Sequence, residues 1–257
     1  MLALNQLNLT FNTGTVNEVH ALNNLGLLLE KGDFVVVIGG NGSGKSTMLN
    51  TVAGTYMPDS GKMVLDNDDI TFMPEHSRAK YVGRVFQDPM RGTAPDMTIE
   101  ENLALAHRRG QRRTFKRGIR AAERAQFREL LSHLDLGLED RLSTRIGLLS
   151  GGQRQAITLL MATLKDPKIL LLDEHTAALD PKTAAKVLEI SVKLIEENYL
   201  TTMMVTHNMA DAITYGNRLV LMRQGQIIYE ASGQQKAALT VSNLVDKFIS
   251  AGVEVQV

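Results

Sequence analysis

The sequence predicts an α/β protein built around a mostly parallel β-sheet. Two segments carry this prediction, residues 34–38 (FVVVI) and 169–172 (ILLL), because each is continuously apolar. Strands of a parallel sheet are covered on both faces and therefore read as unbroken apolar runs. Segments with helical spacing alternate with the predicted strands, and this alternation is typical of a parallel α/β core.

The other elements can be placed in order along the chain. Leucines alternate with other residues over 25–29, as in a half-buried strand. A helix is expected over Lys45–Ala53, with Gly54 as its C-terminal cap. Asp180 is expected to cap a long helix whose first residue is Pro181. Further strands are predicted at residues 63–65, 81–86, 203–206, 219–222 and 227–229, and segment 88–165 is expected to be mostly helical.

The composition limits the possible partners. The chain has 257 residues, 44% of them hydrophobic, which is enough to bury a sizeable core. Lys and Arg (28) balance Asp and Glu (28), so the net charge is zero and no nucleic-acid partner is expected. The absence of cysteine excludes disulfides and thiolate metal sites. The first residues lack a secretion-signal pattern and the apolar runs are too short to span a bilayer, so we expect a soluble protein.

Residues 39–47 (GGNGSGKST) form a glycine-rich phosphate loop between a predicted strand and a predicted helix. Glycines let several backbone N–H groups point toward phosphate oxygens, and the following helix adds its positive end. The Lys45 ammonium can then reach the β- and γ-phosphates of a nucleoside triphosphate, and the Ser46 hydroxyl can bind Mg²⁺. The nucleotide-contacting residues expected here are Gly39, Gly40, Asn41, Gly42, Ser43, Gly44, Lys45, Ser46 and Thr47.

Two carboxylates follow the second buried strand. Asp173 stands at the polar end of that strand, where it can hold Mg²⁺ through a water molecule. Glu174 comes next and is the candidate general base for the attacking water. Carboxylates after a strand also occur as a helix cap, but the phosphate loop elsewhere in the chain favours the catalytic interpretation.

A second glycine-rich segment, residues 149–153 (LSGGQ), precedes a predicted helix. Ser150 is a suitable N-terminal cap for this helix. Gly151 and Gly152 carry no side chains, so an external phosphate could approach the free N–H groups of the helix. A plain capped helix would show the same residues, and the segment alone leaves this alternative open. Because the chain already has one phosphate loop, the second makes most sense if it faces a partner's nucleotide.

Residues 149–153 resemble the signature motif of ATP-binding cassette (ABC) ATPases. The phosphate loop and the Asp173 strand fit the same family, and the resemblance covers nearly the whole chain. Gln87 resembles the family's Q-loop glutamine, and residues 178–180 (ALD), ending at Asp180, resemble its D-loop. His207 resembles the switch histidine, and Phe11 stands where the family usually places a ring that stacks on adenine.

The resemblance implies a P-loop NTPase (RecA-like) fold, with a mostly parallel sheet core, an antiparallel β subdomain and an inserted helical subdomain. A single ABC ATPase domain would span residues 1–257. The nucleotide-binding core with its β subdomain would comprise 1–87 and 166–235. The helical signature subdomain would comprise 88–165, and a helical tail would comprise 236–257.

The resemblance also implies a head-to-tail homodimer with two ATP molecules at its interface. Each ATP would lie between the Lys45 loop of one subunit and the loop of Ser150, Gly151, Gly152 and Gln153 of the other, with Asp180 nearby. The catalytic residues would be Glu174, His207, Lys45 and Gln87, and the Mg²⁺ ligands would be Ser46, Gln87 and Asp173. In transporter members the helical lobe contacts membrane permeases, which implies a peripheral location on the cytoplasmic side of the cell membrane.

Two residues depart from the family's usual pattern. His175 stands where proline is frequent, and Ala177 stands where serine is frequent. We expect His175 to pack or cap rather than to catalyse. Together with residues 87–89 (QDP) and 92–95 (GTAP), this region is similar to ATPases of bacterial importers that act with a permease and a substrate-binding lipoprotein. Some of those carry aromatic amino acids, so the sequence favours an importer of a small solute such as an amino acid.

Other interpretations stay open. The same motifs occur in exporter-type ABC ATPases, for lipoprotein release or efflux. They also occur in soluble ABC ATPases that act outside transport, for example in cluster assembly. A P-loop kinase or GTPase is a third class, but it gives no reason for Ser150 or His207.

The segment 107–128 is strongly basic. A solvated helix face is the favoured explanation. The sharper hypothesis places the segment near anionic lipid headgroups or an acidic permease loop. Its basic residues are Arg108, Arg109, Arg112, Arg113, Lys116, Arg117, Arg120, Arg124 and Arg128.

Overall fold

The computed structural model describes residues 1–111, 118–250 and 252 of the chain. The chain divides into two compact units. Unit 1 comprises Met1–Arg78 and Tyr199–Val257, and unit 2 comprises Ala79–Asn198. The subdomain boundaries that the resemblance implies stay a prediction.

The elements of both units can be given in chain order. The strands are β1 (Leu2–Phe11), β2 (Val19–Leu29), β3 (Phe34–Gly39), β4 (Ser60–Leu65), β5 (Asp68–Asp69), β6 (Val82–Val85), β7 (Ile169–Asp173), β8 (Thr202–Val205), β9 (Arg218–Arg223) and β10 (Gln226–Ser232). The helices are α1 (Lys45–Ala53), α2 (Glu75–Arg78), α3 (Ile99–His107), α4 (Ala121–Ser132), α5 (Gly151–Thr163), α6 (Pro181–Glu197), α7 (Met209–Thr214), α8 (Gly233–Ala237) and α9 (Val241–Ser250).

Unit 1 contains both kinds of sheet that the sequence and the resemblance predict. β2, β1, β4 and β5 lie side by side in that order in an antiparallel sheet. β3 lies parallel to β8 and to β9, and β10 pairs antiparallel with β9. Val35, Val36 and Val37 of β3 are fully buried, as expected for a strand covered on both faces. The predicted α/β class with a mostly parallel core is therefore confirmed.

β4 begins at Ser60, so the prediction that this strand starts at residue 63 was wrong. Ser60 pairs with Asn8 of β1, whose Nδ2 donates a hydrogen bond to the Ser60 Oγ at 3.0 Å. The partner residue is distant in the chain, and local periodicity carries no information about it.

Helix α1 spans the predicted residues, and Gly54 closes it in the left-handed conformation with a φ of 87°. Arg78 reinforces this end, because its Nη1 donates to the carbonyl oxygens of Thr51 at 2.7 Å and Val52 at 3.0 Å. A cation at a helix C-terminus also opposes the negative end of the helix dipole. Burial lowers the pKa of Arg78 to about 10, so the guanidinium stays charged at neutral pH. These contacts hold α1 at the end away from the phosphate loop.

Unit 2 combines two parallel strands with the helices α3 to α6. β6 and β7 pair with Val85 opposite Leu172. Their carboxyl ends therefore lie at the same edge, and Gln87 follows one strand while Glu174 follows the other. α5 packs against α3, α6 and β6. The helical character predicted for 88–165 appears in α3, α4 and α5.

The basic segment is described only in part. Four of its basic residues, Arg112, Arg113, Lys116 and Arg117, lie outside the described residues. Arg124 forms a two-pronged ion pair with Glu100 at 2.7 and 3.0 Å, and Arg108 pairs with Glu123 at 2.8 Å. These basic residues therefore have partners within unit 2. Across the described part of the chain, none of the helices has the length and apolar character that crossing a membrane requires.

Candidate functional site

The phosphate loop connects β3 to α1 in unit 1, as predicted. Gly44 immediately precedes the helix with a φ of 98°, and a Cβ at this position would lie 2.5 Å from the carbonyl oxygen of Ala21. A Cβ on Gly39 would collide with the carbonyl oxygen of Met222 on β9. Both positions therefore require glycine. Among the described residues no side chain caps the N-terminus of α1, and the positive end of this helix favours an anion.

Lys45 is almost completely buried, with 7% of its surface exposed. Its Nζ donates to the carbonyl oxygens of Gly39 at 2.8 Å and Gly40 at 2.9 Å. These two bonds hold the ammonium across the loop rather than in solvent. The Ser43 Oγ is also buried and has no hydrogen-bond partner among the described residues, which suits a loop that accepts a polar ligand.

A cavity of about 370 Å³ opens beside the loop, within the size range of small-molecule sites. Residues 38–43 form one wall, and His207 contributes to another. β3 and β8 are parallel with Val37 opposite Val205, so the loop and His207 follow neighbouring strands. The remaining lining residues belong to none of the sequence motifs: Met209, Arg223, Gln224, Phe248 and Gly252.

His207 lies just before α7. Asn208 caps this helix, because its Oδ1 accepts hydrogen bonds from the N–H groups of Ala210 at 2.9 Å and Asp211 at 3.2 Å. Burial raises the pKa of Asp211, and the charge of the neighbouring His207 opposes that shift. The cap thus fixes the start of α7 directly after His207.

Phe11 lies at the end of β1 and packs edge-to-face on Tyr56. Their ring centroids are 5.1 Å apart, and the planes meet at 75°. Neither ring lines the cavity described above. Tyr56 belongs to no motif, so its contact with Phe11 could not be predicted from the sequence, and adenine stacking by Phe11 stays a prediction.

In unit 2, Asp173 ends β7 and Glu174 follows it. The Asp173 carboxylate lies 3.7 Å from a guanidinium nitrogen of Arg84, on the neighbouring strand β6. Glu174 adopts a left-handed backbone conformation with a φ of 44°, and its carbonyl oxygen accepts a hydrogen bond from the N–H of Ala177 at 3.0 Å. Left-handed conformations are uncommon for residues other than glycine.

Gln87 is exposed and lies one residue beyond Phe86 at the end of β6. Two guanidinium groups lie over the ring of Phe86, from Arg84 at 4.3 Å and from Arg91 at 5.3 Å. Such cation–π contacts restrain the backbone on which Gln87 sits. Asp173 and Glu174 lie at the same edge of unit 2 as Gln87, because the paired strands β6 and β7 are parallel.

Ser150 caps α5 as predicted. Its Oγ accepts a hydrogen bond from the N–H of Gln153 at 3.2 Å, and the Gln153 Oε1 accepts one from the N–H of Ser150 at 3.3 Å. Gly151 is exposed, whereas Gly152 is buried. A Cβ on Gly152 would collide with the side chain of Thr183 on α6. Gly152 therefore permits close packing of the two helices, which the phosphate-approach interpretation overlooked.

Asp180 caps α6, with Pro181 as the first helical residue, as predicted. Its Oδ1 accepts a hydrogen bond from the N–H of Thr183 at 3.1 Å. Hydrogen bonds from Thr183 hold the pKa of Asp180 below its ordinary value. The structure thus gives Asp180 a capping role, and its contact with a nucleotide stays a prediction.

Comparison with known proteins decides the family. The family model for ABC transporter matches residues 22–177. The chain belongs to the ABC transporter family. It is 44% identical over 225 residues to a tyrosine transport ATP-binding protein of Clostridioides difficile, covering 88% of this chain and 89% of that protein. It is 33% identical to a sulfate/thiosulfate import ATP-binding protein of Agrobacterium fabrum, covering 91% of this chain and 66% of that protein.

Solved structures agree with this assignment. An ATP-binding cassette determined as a dimer in a post-hydrolysis state with ADP and Pi superimposes with a TM-score of 0.76 at 31% identity, covering 90% of this chain and 98% of that one. A nucleotide-free cassette of an ABC transporter gives a TM-score of 0.79 at 25% identity, covering 99% of each chain. This chain is therefore the ATP-binding, ATP-hydrolysing subunit of an ABC transporter.

His175 distinguishes this ABC ATPase from the usual family pattern, and the structure confirms that it packs. The side chain is 2% exposed, and its Nε2 lies 2.9 Å from the Ser191 Oγ of α6. The Ser191 hydroxyl proton is donated to the carbonyl oxygen of Val187 at 2.8 Å, so the Nε2 must carry the proton of the imidazole. Burial lowers the pKa of His175 to about 4, and the ring is neutral at physiological pH.

The buried imidazole makes stability depend on pH. Folded His175 has a pKa of about 4 against an ordinary value of 6.5, so the stabilisation is present above pH 6.5 and is lost as the pH falls toward 4. The loss amounts to about 3 kcal/mol of unfolding free energy at the acid end. Urea denaturation at several pH values should therefore show a steeper decline for the wild type than for His175→Gln. The matched control is His133→Gln at an exposed position. Parallel curves for wild type and His175→Gln would contradict the prediction.

Gln155 lies on α5, and its side chain is completely buried. Its Nε2 donates to the carbonyl oxygens of Phe86 at 2.9 Å and His175 at 2.7 Å. Its Oε1 is buried without a hydrogen-bond partner among the described residues. Such an atom costs about 1–3 kcal/mol, and the two hydrogen bonds that the Nε2 donates offset this cost. Gln155 belongs to none of the motifs described from the sequence.

Proposed function

We propose that this ATPase subunit serves an importer of a small solute such as an amino acid, and that ATP binding closes a head-to-tail homodimer of the chain. The observation that carries the ATPase part is the Lys45 ammonium held across an uncapped glycine loop beside a cavity of about 370 Å³. The amino-acid part is supported by the relative named for tyrosine transport, which is similar over 88% of the chain.

In the proposed mechanism the residues have distinct roles. Lys45 and the N–H groups of residues 39–47 bind the phosphates, and His207 contacts the γ-phosphate from the cavity wall. Glu174 accepts a proton from the attacking water, because a positioned carboxylate can serve as general base. Gln87 couples this site to movement of the helical lobe. Phe11 stacks on adenine.

The available ligands also fit Mg²⁺. The Ser46 hydroxyl, the Asp173 carboxylate and the Gln87 amide supply oxygen atoms, which hard cations prefer. When bound, Mg²⁺ would neutralise charge on the β- and γ-phosphate oxygens.

The second subunit would complete each site with its signature loop. Ser150, Gly151, Gly152 and Gln153 form the start of α5, where Ser150 and Gly151 are exposed and helix N–H groups favour an anion. Asp180 would lie at the same interface. A dimeric cassette with ADP and Pi among the similar structures supports this arrangement.

The proposed partners are integral membrane permease subunits and, in the full complex, a substrate-binding protein. The chain would be peripheral on the cytoplasmic side of the membrane. The relative named as a sulfate/thiosulfate import ATP-binding protein supports this arrangement over an exporter, and the relative named for tyrosine transport supports it over a soluble ATPase outside transport. Co-purification of a multi-span membrane protein with the tagged chain is the result we expect. Recovery of the chain without any membrane protein would favour the soluble alternative.

A mixing experiment tests the shared site. Ser150→Arg and Lys45→Ala chains should each be inactive alone, and together they should regain roughly one quarter of wild-type ATPase activity, since half of the randomly mixed dimers contain one intact site of two. Mixing Ser150→Arg with a chain carrying both substitutions is the matched control, because no intact site can form. Absence of recovery, with heterodimers demonstrated, would count against the composite site.

A further inference from the structure

Gln155 occupies a place that no sequence motif explains. We infer that Gln155 is a positioning residue for ATP hydrolysis, which ties the backbone beside Gln87 and the backbone beside Glu174 to the signature helix α5. The inference rests on the proposed function, because it takes the roles of Gln87 and Glu174 from there. It adds a physical connection between these residues and Ser150.

The connection uses both donors of one carboxamide. The Gln155 Nε2 donates to the carbonyl oxygen of Phe86, which immediately precedes Gln87, at 2.9 Å. It also donates to the carbonyl oxygen of His175, which immediately follows Glu174, at 2.7 Å. Since both neighbours are carbonyl oxygens, only the amide nitrogen can occupy this place. One side chain therefore fixes two separate backbone segments to the same helix.

The burial and hydrogen bonding of the Gln155 amide indicate a role beyond packing. Its Oε1 lies buried without a partner among the residues that the structure describes, although most buried polar atoms have one. The side chain is fully enclosed, so its amide does not serve solubility. What the residue supplies is the pair of hydrogen bonds to the segments beside Gln87 and Glu174.

Each segment is also held from another direction. The Phe86 ring is covered by the guanidinium groups of Arg84 and Arg91. The His175 imidazole is fixed to Ser191 of α6. These contacts restrain the positions of the two carbonyl oxygens that accept hydrogen bonds from the Gln155 amide.

Gln155 is close in sequence to the start of α5, where the Ser150 capping box lies. Because an α-helix is a stiff element, a displacement of its N-terminus is carried to Gln155. When the dimer closes and Ser150 meets the nucleotide bound by the other subunit, the backbone beside Gln87 and the backbone beside Glu174 would therefore shift together. Gln155 thereby connects completion of the dimer with placement of the catalytic base.

The test compares Gln155→Leu with Thr163→Val in the full-length protein. Leucine is similar in size but has no donor. The control removes a buried hydroxyl from the same helix, which among the described residues donates to the helix carbonyl oxygens of Leu159 and Leu160 and to no other group. We expect Gln155→Leu to lower kcat at least tenfold with KM for ATP changed less than about twofold, since misplacing a catalytic group by 1 Å can cost about 10²-fold in rate.

Hydrogen exchange supplies a readout that a packing defect alone would not reproduce. In Gln155→Leu, exchange should accelerate in both segments, residues 86–92 and 173–178, and should remain unchanged in residues 1–78. Thr163→Val should accelerate neither segment. If Gln155→Leu folds poorly, Gln155→Met offers an unbranched donor-free side chain for the same two measurements.

The outcomes separate this inference from the proposed function. Unchanged kcat and unchanged exchange in both segments, in a folded variant, would overturn the positioning role. Acceleration in only one segment would also overturn it, because the proposal requires both. If Glu174→Gln hydrolyses ATP normally, the assigned base is wrong, whereas coupled exchange in the two segments would still support the link through Gln155.

Discussion

Replacing Glu174 by glutamine is expected to stop ATP turnover while leaving ATP binding intact. The side chains have nearly the same size, but the neutral amide cannot accept a proton from the attacking water. A positioned general base contributes about 10²- to 10⁴-fold to rate, so the deficit should be at least 10²-fold. The left-handed backbone at Glu174 restricts where the carboxylate can point, and glutamine keeps that backbone. Steady-state phosphate release and equilibrium nucleotide binding measure the two quantities separately.

The same variant should accumulate the ATP-bound dimer, because closure proceeds and hydrolysis does not. Size-exclusion chromatography with ATP would show this as a shift from monomer to dimer. Glu189→Gln is the matched control, since Glu189 is an exposed carboxylate on α6 paired with Lys186 at 3.5 Å. Near-normal turnover in Glu174→Gln would reject Glu174 as the base.

Replacing Lys45 by alanine is expected to cause the second large effect, a loss of triphosphate binding. The ammonium is buried and held by two loop carbonyl oxygens, so it is already in place before a ligand arrives. A hydrogen bond to a charged group contributes about 1.5–3 kcal/mol, which corresponds to a roughly 10- to 150-fold increase in Kd. Titration with a fluorescent ATP analogue measures this change directly.

The control for Lys45→Ala is Lys31→Ala, which removes an exposed lysine from the turn before β3 in the same unit. Its Kd for ATP should match that of the wild type. Circular dichroism should confirm that α1 persists in Lys45→Ala, because the substitution also removes two hydrogen bonds from the loop. Equal ATP affinity for Lys45→Ala and wild type would refute the assigned role.

Much of the site could be predicted because its parts are local in the sequence. The strand, glycine loop and helix around Lys45 lie within twenty residues, and composition or spacing predicts each of them. The end of α1 at Gly54 and the cap of α5 at Ser150 follow from the conformational and hydrogen-bonding properties of those residues. That His175 packs or caps rather than catalyses was also expected, and its side chain packs in the interior.

Other parts of the site depend on contacts that no local pattern encodes. Arg84 approaches Asp173 only because β6 and β7 pair side by side. Arg223 on β9 and Phe248 on α9 line the cavity beside the phosphate loop, although both are far from that loop in the sequence. From the sequence, Gly152 was expected to let a phosphate approach α5. The structure shows that it also lets α5 pack closely against Thr183 of α6.

The sequence by itself determined the family resemblance and the elements that hold the phosphate loop, the carboxylates and the signature helix. These features depend on residue type and short-range spacing. Only the tertiary structure decided how the backbone beside Gln87 and the backbone beside Glu174 are joined. Gln155 bonds to residues 69 and 20 positions away, and the burial of its amide depends on how α5 packs against the neighbouring elements. Hydrogen bonds of that span arise from chain folding, so only the folded unit reveals them.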